Sequence, residues 1–158
     1  MDETIVVGVD GSPISRTALR WAVQEAKLRG CTVEVVLAWH VDYAMVIGPM
    51  SATIAAGIDR DEVREGHRLV LDEMVAEAGP EVRAVLAEGD ARDVLVEASE
   101  RASLLVVGSR GAGPVREALL GSVSSYCVRH ARCPVLVMRE PKPEHVEPKP
   151  VITAGPLL

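Results

Sequence analysis

The sequence predicts an α/β fold in which an open, doubly wound parallel sheet is covered by helices on both faces. Short apolar, β-branched segments alternate along the chain with longer segments of helical periodicity, and such alternation is typical of right-handed βαβ crossovers. Two short segments, residues 4–9 and 103–108, are almost entirely apolar, as expected of parallel strands buried on both sides. The 158 residues, 48% of them apolar, suffice for one domain with a sizeable core. We therefore expect a Rossmann-like sheet.

The first strand and the first helix have clear limits. The run TIVVGV ends at the turn sequence Asp10-Gly11-Ser12, and a serine followed by Pro13 is typical of a helix start. Apolar residues then recur at helical spacing until Gly30, which predicts the end of the helix. We expect this first strand to be central in the sheet.

The next elements follow the same alternation. TVEVVLAW predicts a second strand over residues 32–39, and an apolar stripe at helical spacing predicts a second helix over residues 59–78. Residues 82–87 predict a shorter third strand. Asp90 and Asp93 are placed to cap a third helix.

The last elements surround a fourth strand at residues 103–108. A helical segment after it places Val123, Tyr126 and Cys127 on one face, and residues 134–138 predict a fifth strand. That strand opens with a proline, which favours a sheet edge. From residue 140 onward the chain carries half of its ten prolines. We therefore expect a domain over residues 1–139 and a disordered or extended tail over residues 140–158.

Composition excludes several classes of function. The formal charge is −6, and acidic and basic residues alternate, as in RDEVRE at residues 60–65, so a nucleic-acid binder is not expected. The segment 44–58 is broken by Gly48, Pro49 and Gly57 and is too short to cross a membrane; we expect a mobile loop or lid there. Three cysteines without metal-ligand spacing favour a reducing cytoplasm.

A glycine-rich stretch after the fourth strand is the strongest functional signal. Gly108 and Gly111 are three residues apart, and nine residues separate Gly111 from Gly121 and Ser122. Glycine can adopt positive φ and permits close approach to the backbone, while Ser122 is placed to cap a helix whose N-terminus attracts an anion. If strands one and four are neighbours, this loop and the Asp10 turn border one crevice at the carboxyl edge of the sheet. The sequence thus predicts a phosphorylated ligand.

Other nucleotide-binding classes lack their sequence signals. No G-x-G-x-x-G follows the first strand and no G-x-x-x-x-G-K-[ST] occurs, so a dinucleotide dehydrogenase or a P-loop NTPase is not predicted. No catalytic constellation takes their place.

The spacing Gly108-x-x-Gly111, nine residues, then Gly121-Ser122 resembles the ATP-binding signature of the universal stress proteins. IVVGVDGS, VVGSRG and CPVLVMR are similar to the first, fourth and fifth strands of that family. The resemblance covers roughly residues 4–139. It implies the strand order 3-2-1-4-5, a homodimer paired through strand five, and membership of the ATP-binding subclass.

The resemblance also implies a set of binding residues. Asp10 meets the ribose or adenine side, and Val9 and Trp39 line the adenine. The ribose and phosphates are surrounded by Gly108, Gly111, Gly121, Ser122 and Val123. Ser124 lies near the predicted phosphates, and Arg110 either reaches a phosphate or is solvated.

Three hypotheses follow from these residues. The first is a nucleotide-dependent stress or signalling module that binds ATP, AMP or a cyclic nucleotide, with Mg²⁺ or Mn²⁺ held mainly by the phosphates. The second is a slow ATPase or phosphotransferase, and the third is a dimeric interaction protein with an unoccupied crevice. In the alternative structural interpretation, Asp10 only caps the first helix or shapes a turn, and Ser122 is only an N-cap. His67 and Cys127 are then packed residues.

Overall fold

Strands and helices alternate throughout the computed structural model, which describes residues 3–41, 56–110 and 120–140. The strands are β1 Thr4–Val9, β2 Thr32–Trp39, β3 Val82–Glu88, β4 Leu104–Gly108 and β5 Val135–Met138. The helices are α1 Pro13–Arg29, α2 Arg60–Ala78, α3 Ala91–Ser99 and α4 Ser122–His130. Where the sequence predicted a residue range for an element, the observed bounds agree with that range to within one residue at each end.

The five strands form one parallel sheet in the order β3-β2-β1-β4-β5. Val7 of β1 pairs with Val35 on one side and Val106 on the other, so β1 is the central strand. The strand order and the edge position of β5 were both predicted. Because the chain leaves β1 toward β2 but leaves β4 toward β5, the order reverses between β1 and β4.

A hydrophobic core lies on each face of the sheet. We call the first core the cluster between the sheet and helices α1 and α2, which includes Leu19, Leu71 and Met74. The second core lies between the sheet and helices α3 and α4 and includes Leu95 and Cys127. Successive residues of a strand point to opposite faces, so each buried strand contributes to both cores.

Local sequence signals set the helix ends. The Ser12 side chain accepts a hydrogen bond from the Ser15 N–H at the start of α1, and Gly30 ends that helix with a φ of 68°. Asp59 caps α2 and Asp90 caps α3. Asp93 lies in the first turn of α3 and is not its N-cap.

Some predicted features lie outside the described residues. They are the loop over most of residues 44–58, Gly111, the residues up to 119, and the tail from residue 141 onward. In the part of the chain that the structure describes, no helix is both long and apolar enough to span a bilayer.

Candidate functional site

A cavity of about 480 Å³ opens at the carboxyl edge of the sheet, where β1 and β4 end. In open α/β sheets ligands bind at the point where the strand order reverses, and this cavity occupies that point. Its walls come from three strands and the N-terminal parts of three helices, and its described lining is Gly8, Val9, Asp10, Ser15, Val36, Ala38, Ala91, Leu95, Gly108, Arg110, Leu120, Gly121, Ser122, Val123 and Ser124.

One group of lining residues is apolar. It comprises Val36 and Ala38 of β2 and Ala91 and Leu95 of α3. Gly8 also lines the cavity, and a β-carbon built there would lie 2.6 Å from Cδ1 of Leu95. The Leu95 side chain therefore packs directly on the β1 backbone.

Trp39 is not among the described lining residues. It is buried in the first core, on the face of the sheet opposite to Ala38, because neighbouring residues of a strand alternate between faces. The described lining of the cavity therefore gives no support to the expectation that Trp39 lines a base. The cavity residue at the end of β2 is Ala38, whose small side chain gives no sequence signal.

The β1–α1 turn contributes polar residues to the lining, and hydrogen bonds of its own side chains hold the turn together. Oδ1 of Asp10 accepts a hydrogen bond from the Ser12 N–H at 2.9 Å. The hydroxyl of Ser15 donates to the Ser12 carbonyl oxygen at 2.9 Å. Asp10 and Ser15 both line the cavity, and Gly11 between them has a φ of 82°. Ser15 was missed from the sequence, although its place three residues after a helix cap was visible.

The start of α4 also lines the cavity and is built differently from this turn. Its N-cap is Gly121, which has no side chain to accept from the first turn of the helix. The Gly121 N–H donates to the Ser109 carbonyl oxygen at 2.6 Å, and the Ser124 hydroxyl donates to the same oxygen at 3.0 Å. These bonds fix the helix start beside the end of β4. The first N–H groups of a helix have no partner within it, and those of α4 begin at the cavity wall.

Ser122 is the first residue of α4 and not its N-cap. The prediction that Ser122 caps this helix is therefore wrong. The chain enters the helix one residue earlier than predicted, because Gly121 already has the extended conformation of an N-cap, with φ −72° and ψ 173°. The side chain of Ser122 is exposed and lines the cavity.

The two described glycines of the signature do not adopt positive φ. Gly108 is needed for packing, because a β-carbon there would lie 2.9 Å from Cγ2 of Ile14. At Gly121 the nearest atom to an added β-carbon is the Ser109 carbonyl oxygen, at 3.4 Å, which is an ordinary contact. The protein itself thus leaves room for a β-carbon at residue 121, and positive φ is not the reason for glycine at either position.

The charged residues in the described lining of the cavity are Asp10 and Arg110. Arg110 is exposed and lines it. At its rim, hydrogen bonds from Arg92 lower the pKa of Asp90 to about 2. Within residues 3–41, 56–110 and 120–140, no group of three His, Cys, Asp or Glu side chains is arranged to hold a metal ion.

Two residues that the sequence predicts to be packed, His67 and Cys127, have the surroundings expected of packed residues. Nδ1 of His67 lies 2.8 Å from the Val63 carbonyl oxygen, and the ring is half-buried. Cys127 is fully buried, and burial raises the pKa of its thiol to about 11. A thiol in such surroundings stays protonated and unreactive, so both residues are packed as predicted.

Comparison with known proteins places this architecture in a family. The universal stress protein family matches residues 1–139. Universal stress protein Rv1996 of Mycobacterium tuberculosis is 32% identical over 164 residues, which cover 94% of this chain and 52% of that relative. The chain spans about half the length of the curated relatives it matches.

Solved structures of the family share the fold. A universal stress protein from Archaeoglobus fulgidus superposes with a TM-score of 0.65 at 25% identity, covering 87% of this chain and 94% of that one. Another universal stress protein, crystallised in complex with cAMP, superposes with a TM-score of 0.57 at 28% identity, covering 86% and 95%. By its sequence match over residues 1–139, this chain belongs to the universal stress protein family.

Proposed function

We propose that this protein binds an adenine nucleotide, ATP, in the cavity and acts as a nucleotide-dependent stress or signalling module. The observation that carries the proposal is the lining of one cavity, which combines apolar residues of β2 and α3 with the N-terminus of α4. Its volume of about 480 Å³ lies in the range of small-molecule sites, roughly 300 to 1,000 Å³. A nucleotide has this same division into a flat base and an anionic end.

The proposed orientation follows from the two kinds of lining residues. The base lies against the apolar residues Val9, Ala38 and Leu95, and Asp10 meets the ribose or the adenine side. The phosphates lie at the start of α4, where the backbone of Gly121, Ser122, Val123 and Ser124 and the dipole of the helix favour negative charge. Gly108 and Arg110 flank the phosphates, and Gly111 is proposed beside them from the signature spacing alone.

The family supports the class of ligand. A related structure contains cAMP, which has the same base and ribose. ATP is the finer proposal, from the signature Gly108-x-x-Gly111 and Gly121-Ser122. We propose that Mg²⁺ or Mn²⁺ accompanies it and is held mainly by phosphate oxygens.

Identification of a co-purified nucleotide tests this proposal. Freshly purified protein is denatured and the released small molecules are identified by mass spectrometry, and calorimetry then compares ATP, AMP, cAMP and GTP on nucleotide-free protein. We expect adenine nucleotides to bind and GTP to bind at least tenfold more weakly. Absence of binding by every adenine nucleotide would favour an interaction protein with an empty crevice.

We propose that occupancy, and not turnover, is the output of the site. Rapid phosphoryl transfer needs positioned metal ions, cations and an oriented nucleophile, whereas Asp10 is the carboxylate among the described lining residues. We expect ATP hydrolysis far slower than about one per second. Single-turnover assays with labelled ATP and Mg²⁺ or Mn²⁺ measure it. A rate near one per second would favour the ATPase or phosphotransferase hypothesis.

We further propose a homodimer paired through β5. This strand is an edge of the sheet, and Val135, Leu136, Val137 and Met138 are each half-buried in the single chain. An apolar strand edge favours pairing with another strand. Sedimentation velocity at micromolar concentration should show a dimer, and Val137→Lys should shift it toward monomer. A monomer for the unaltered protein contradicts the proposal.

Two smaller proposals concern the chain's surroundings. Cys31, Cys127 and Cys133 are all unpaired, which supports a reducing cytoplasm as the compartment. The family match ends at residue 139, which supports a separate tail. Deletion of residues 140–158 should leave the melting temperature and ATP affinity close to those of the full chain.

A further inference from the structure

Helix α2 contacts the β1–α1 turn where Val70 meets the backbone of Gly11. A β-carbon built on Gly11 would lie 2.9 Å from Cγ1 of Val70. The φ of Gly11 is 82°, in the left-handed region that favours glycine. Val70 is half-buried and packs against the first core. Gly11 therefore allows the left-handed conformation of the turn, and Val70 packs against one side of the turn.

The supported turn carries polar groups of the cavity on both sides of Gly11. Asp10 precedes the glycine, and its Oδ1 accepts from the Ser12 N–H at 2.9 Å. The Ser15 hydroxyl donates to the Ser12 carbonyl oxygen at 2.9 Å, and the Ser15 N–H donates to the Ser12 hydroxyl at 3.3 Å. Because these bonds join consecutive parts of one short turn, displacement of Gly11 also displaces Asp10 and Ser15.

We propose that Val70 is a positioning residue for the bound nucleotide. It packs against Gly11 and thereby holds the Asp10 carboxylate at the cavity wall, although α2 contributes no residue to the described lining. This inference rests on the proposed function. It also implies that nucleotide binding and the seating of α2 on the sheet affect each other, because coupling between two sites is reciprocal.

A double-mutant cycle tests whether Val70 acts through Asp10. ATP dissociation constants are measured by calorimetry on the full chain for wild type, Val70→Ala, Asp10→Asn and the double variant. The asparagine in Asp10→Asn keeps a side-chain oxygen for the Ser12 N–H but has no carboxylate for a ribose hydroxyl. We expect Val70→Ala to weaken ATP binding about 5-fold in the wild-type background and less than about 2-fold beside Asp10→Asn, because contacts that act together are not additive.

Val75→Ala is the matched control. Val75 is also on α2, also half-buried and also packed against the first core, so its truncation removes a similar amount of packing away from the turn. We expect a similar decrease in melting temperature and an unchanged ATP dissociation constant. Equal weakening by Val70→Ala and Val75→Ala, or additive effects in the cycle, overturns the inference and leaves the proposed function intact.

A second pair of variants should reverse the sign of the effect that Val70→Ala has on ATP affinity. Gly11→Ala places a methyl group against Cγ1 of Val70 and also strains the left-handed backbone at residue 11, so it is expected to weaken ATP binding. Val70→Ala in that background removes the clash but not the backbone strain. It should therefore recover part of the affinity, whereas it lowers affinity in the wild type. No recovery contradicts a direct contact. Absence of ATP binding by the wild-type protein overturns the proposed function, and this inference with it.

Discussion

The two helix starts that border the cavity differ in how their backbone N–H groups are used. At α1 the Ser12 side chain accepts from the Ser15 N–H, and the first helical residue is Pro13, which has no N–H. At α4 the N-cap is Gly121, which has no side chain. Both helices begin at the same edge of the sheet. The Ser12 side chain caps the N-terminus of α1, whereas no side chain caps the N-terminus of α4, which lines the cavity.

We infer from this difference that the start of α1 serves mainly the stability of the fold, whereas the start of α4 serves ligand binding. A capping side chain satisfies an N–H group that would otherwise need another acceptor, so a capped helix offers less to an anionic ligand. The uncapped start of α4 forgoes that stabilisation, and a phosphate can replace it. We therefore expect changes at Ser12 to affect mainly stability and changes at Gly121 to affect mainly binding.

The largest effect is expected from Gly121→Val. A β-carbon at residue 121 makes only ordinary contacts with the protein, and its φ of −72° suits any residue, so the fold should tolerate valine. Its methyl groups would occupy the phosphate position. We expect ATP affinity in calorimetry to decrease by at least about 100-fold, or about 2.7 kcal/mol, with circular dichroism unchanged.

Gly66→Val is the control for that substitution. A β-carbon at Gly66 on α2 meets nothing within 4 Å, and residue 66 does not line the cavity. ATP affinity should equal that of wild type. If a folded Gly121→Val variant bound ATP with wild-type affinity, the phosphate would not lie at the start of α4.

A smaller effect is expected from Gly121→Ser, which converts the start of α4 into a capped one like that of α1. The hydroxyl should accept an N–H of the first turn and stabilise the protein by a few tenths of a kcal/mol. The same N–H is then withdrawn from the phosphate, so ATP should bind about tenfold more weakly. Thermal melting and calorimetry measure both. A variant that gains stability without losing affinity would show that the two uses of the helix start do not compete.

Serine-to-alanine substitutions at the two helix starts compare stability directly. Ser12→Ala removes the α1 cap and should lower the free energy of unfolding by about 1 kcal/mol. Ser122→Ala alters an exposed residue inside the first turn of α4. It should change the free energy of unfolding by less than about 0.5 kcal/mol. Urea denaturation measures both, and equal losses would mean that Ser122 has a capping role after all.

The smallest effect concerns pH and the third helix start at the cavity. Asp90 caps α3, and Arg92 lowers its folded pKa from 3.8 to about 2. A lowered carboxyl pKa stabilises the fold above the unfolded pKa, and that contribution is lost as the pH falls toward 2. The Asp90→Asn variant keeps a capping oxygen but should lose less stability than wild type between pH 5 and pH 2.5. Identical pH profiles in urea denaturation contradict this role.

The sequence alone determined the order, type and limits of the elements. Strand β1 ends at Val9, directly before Asp10, and α1 begins after Ser12, because turn and cap residues act on the neighbouring backbone and their effect is visible locally. The strand order, which the resemblance supplied, is confirmed by the structure. The spacing of Gly108 and Gly121 also identified the cavity region, since both residues line it.

Only the tertiary structure decided which side chains meet in the cavity. Strand β2 is apolar on both faces, so its pattern does not tell which face is next to the cavity, and Ala38, not Trp39, proved to be the lining residue. Leu95 reaches Gly8, and Val70 reaches Gly11, from helices far away in the chain. Such contacts depend on how the helices pack on the sheet. No local pattern of the sequence encodes which residue of a distant helix comes close to a given residue of a strand or turn.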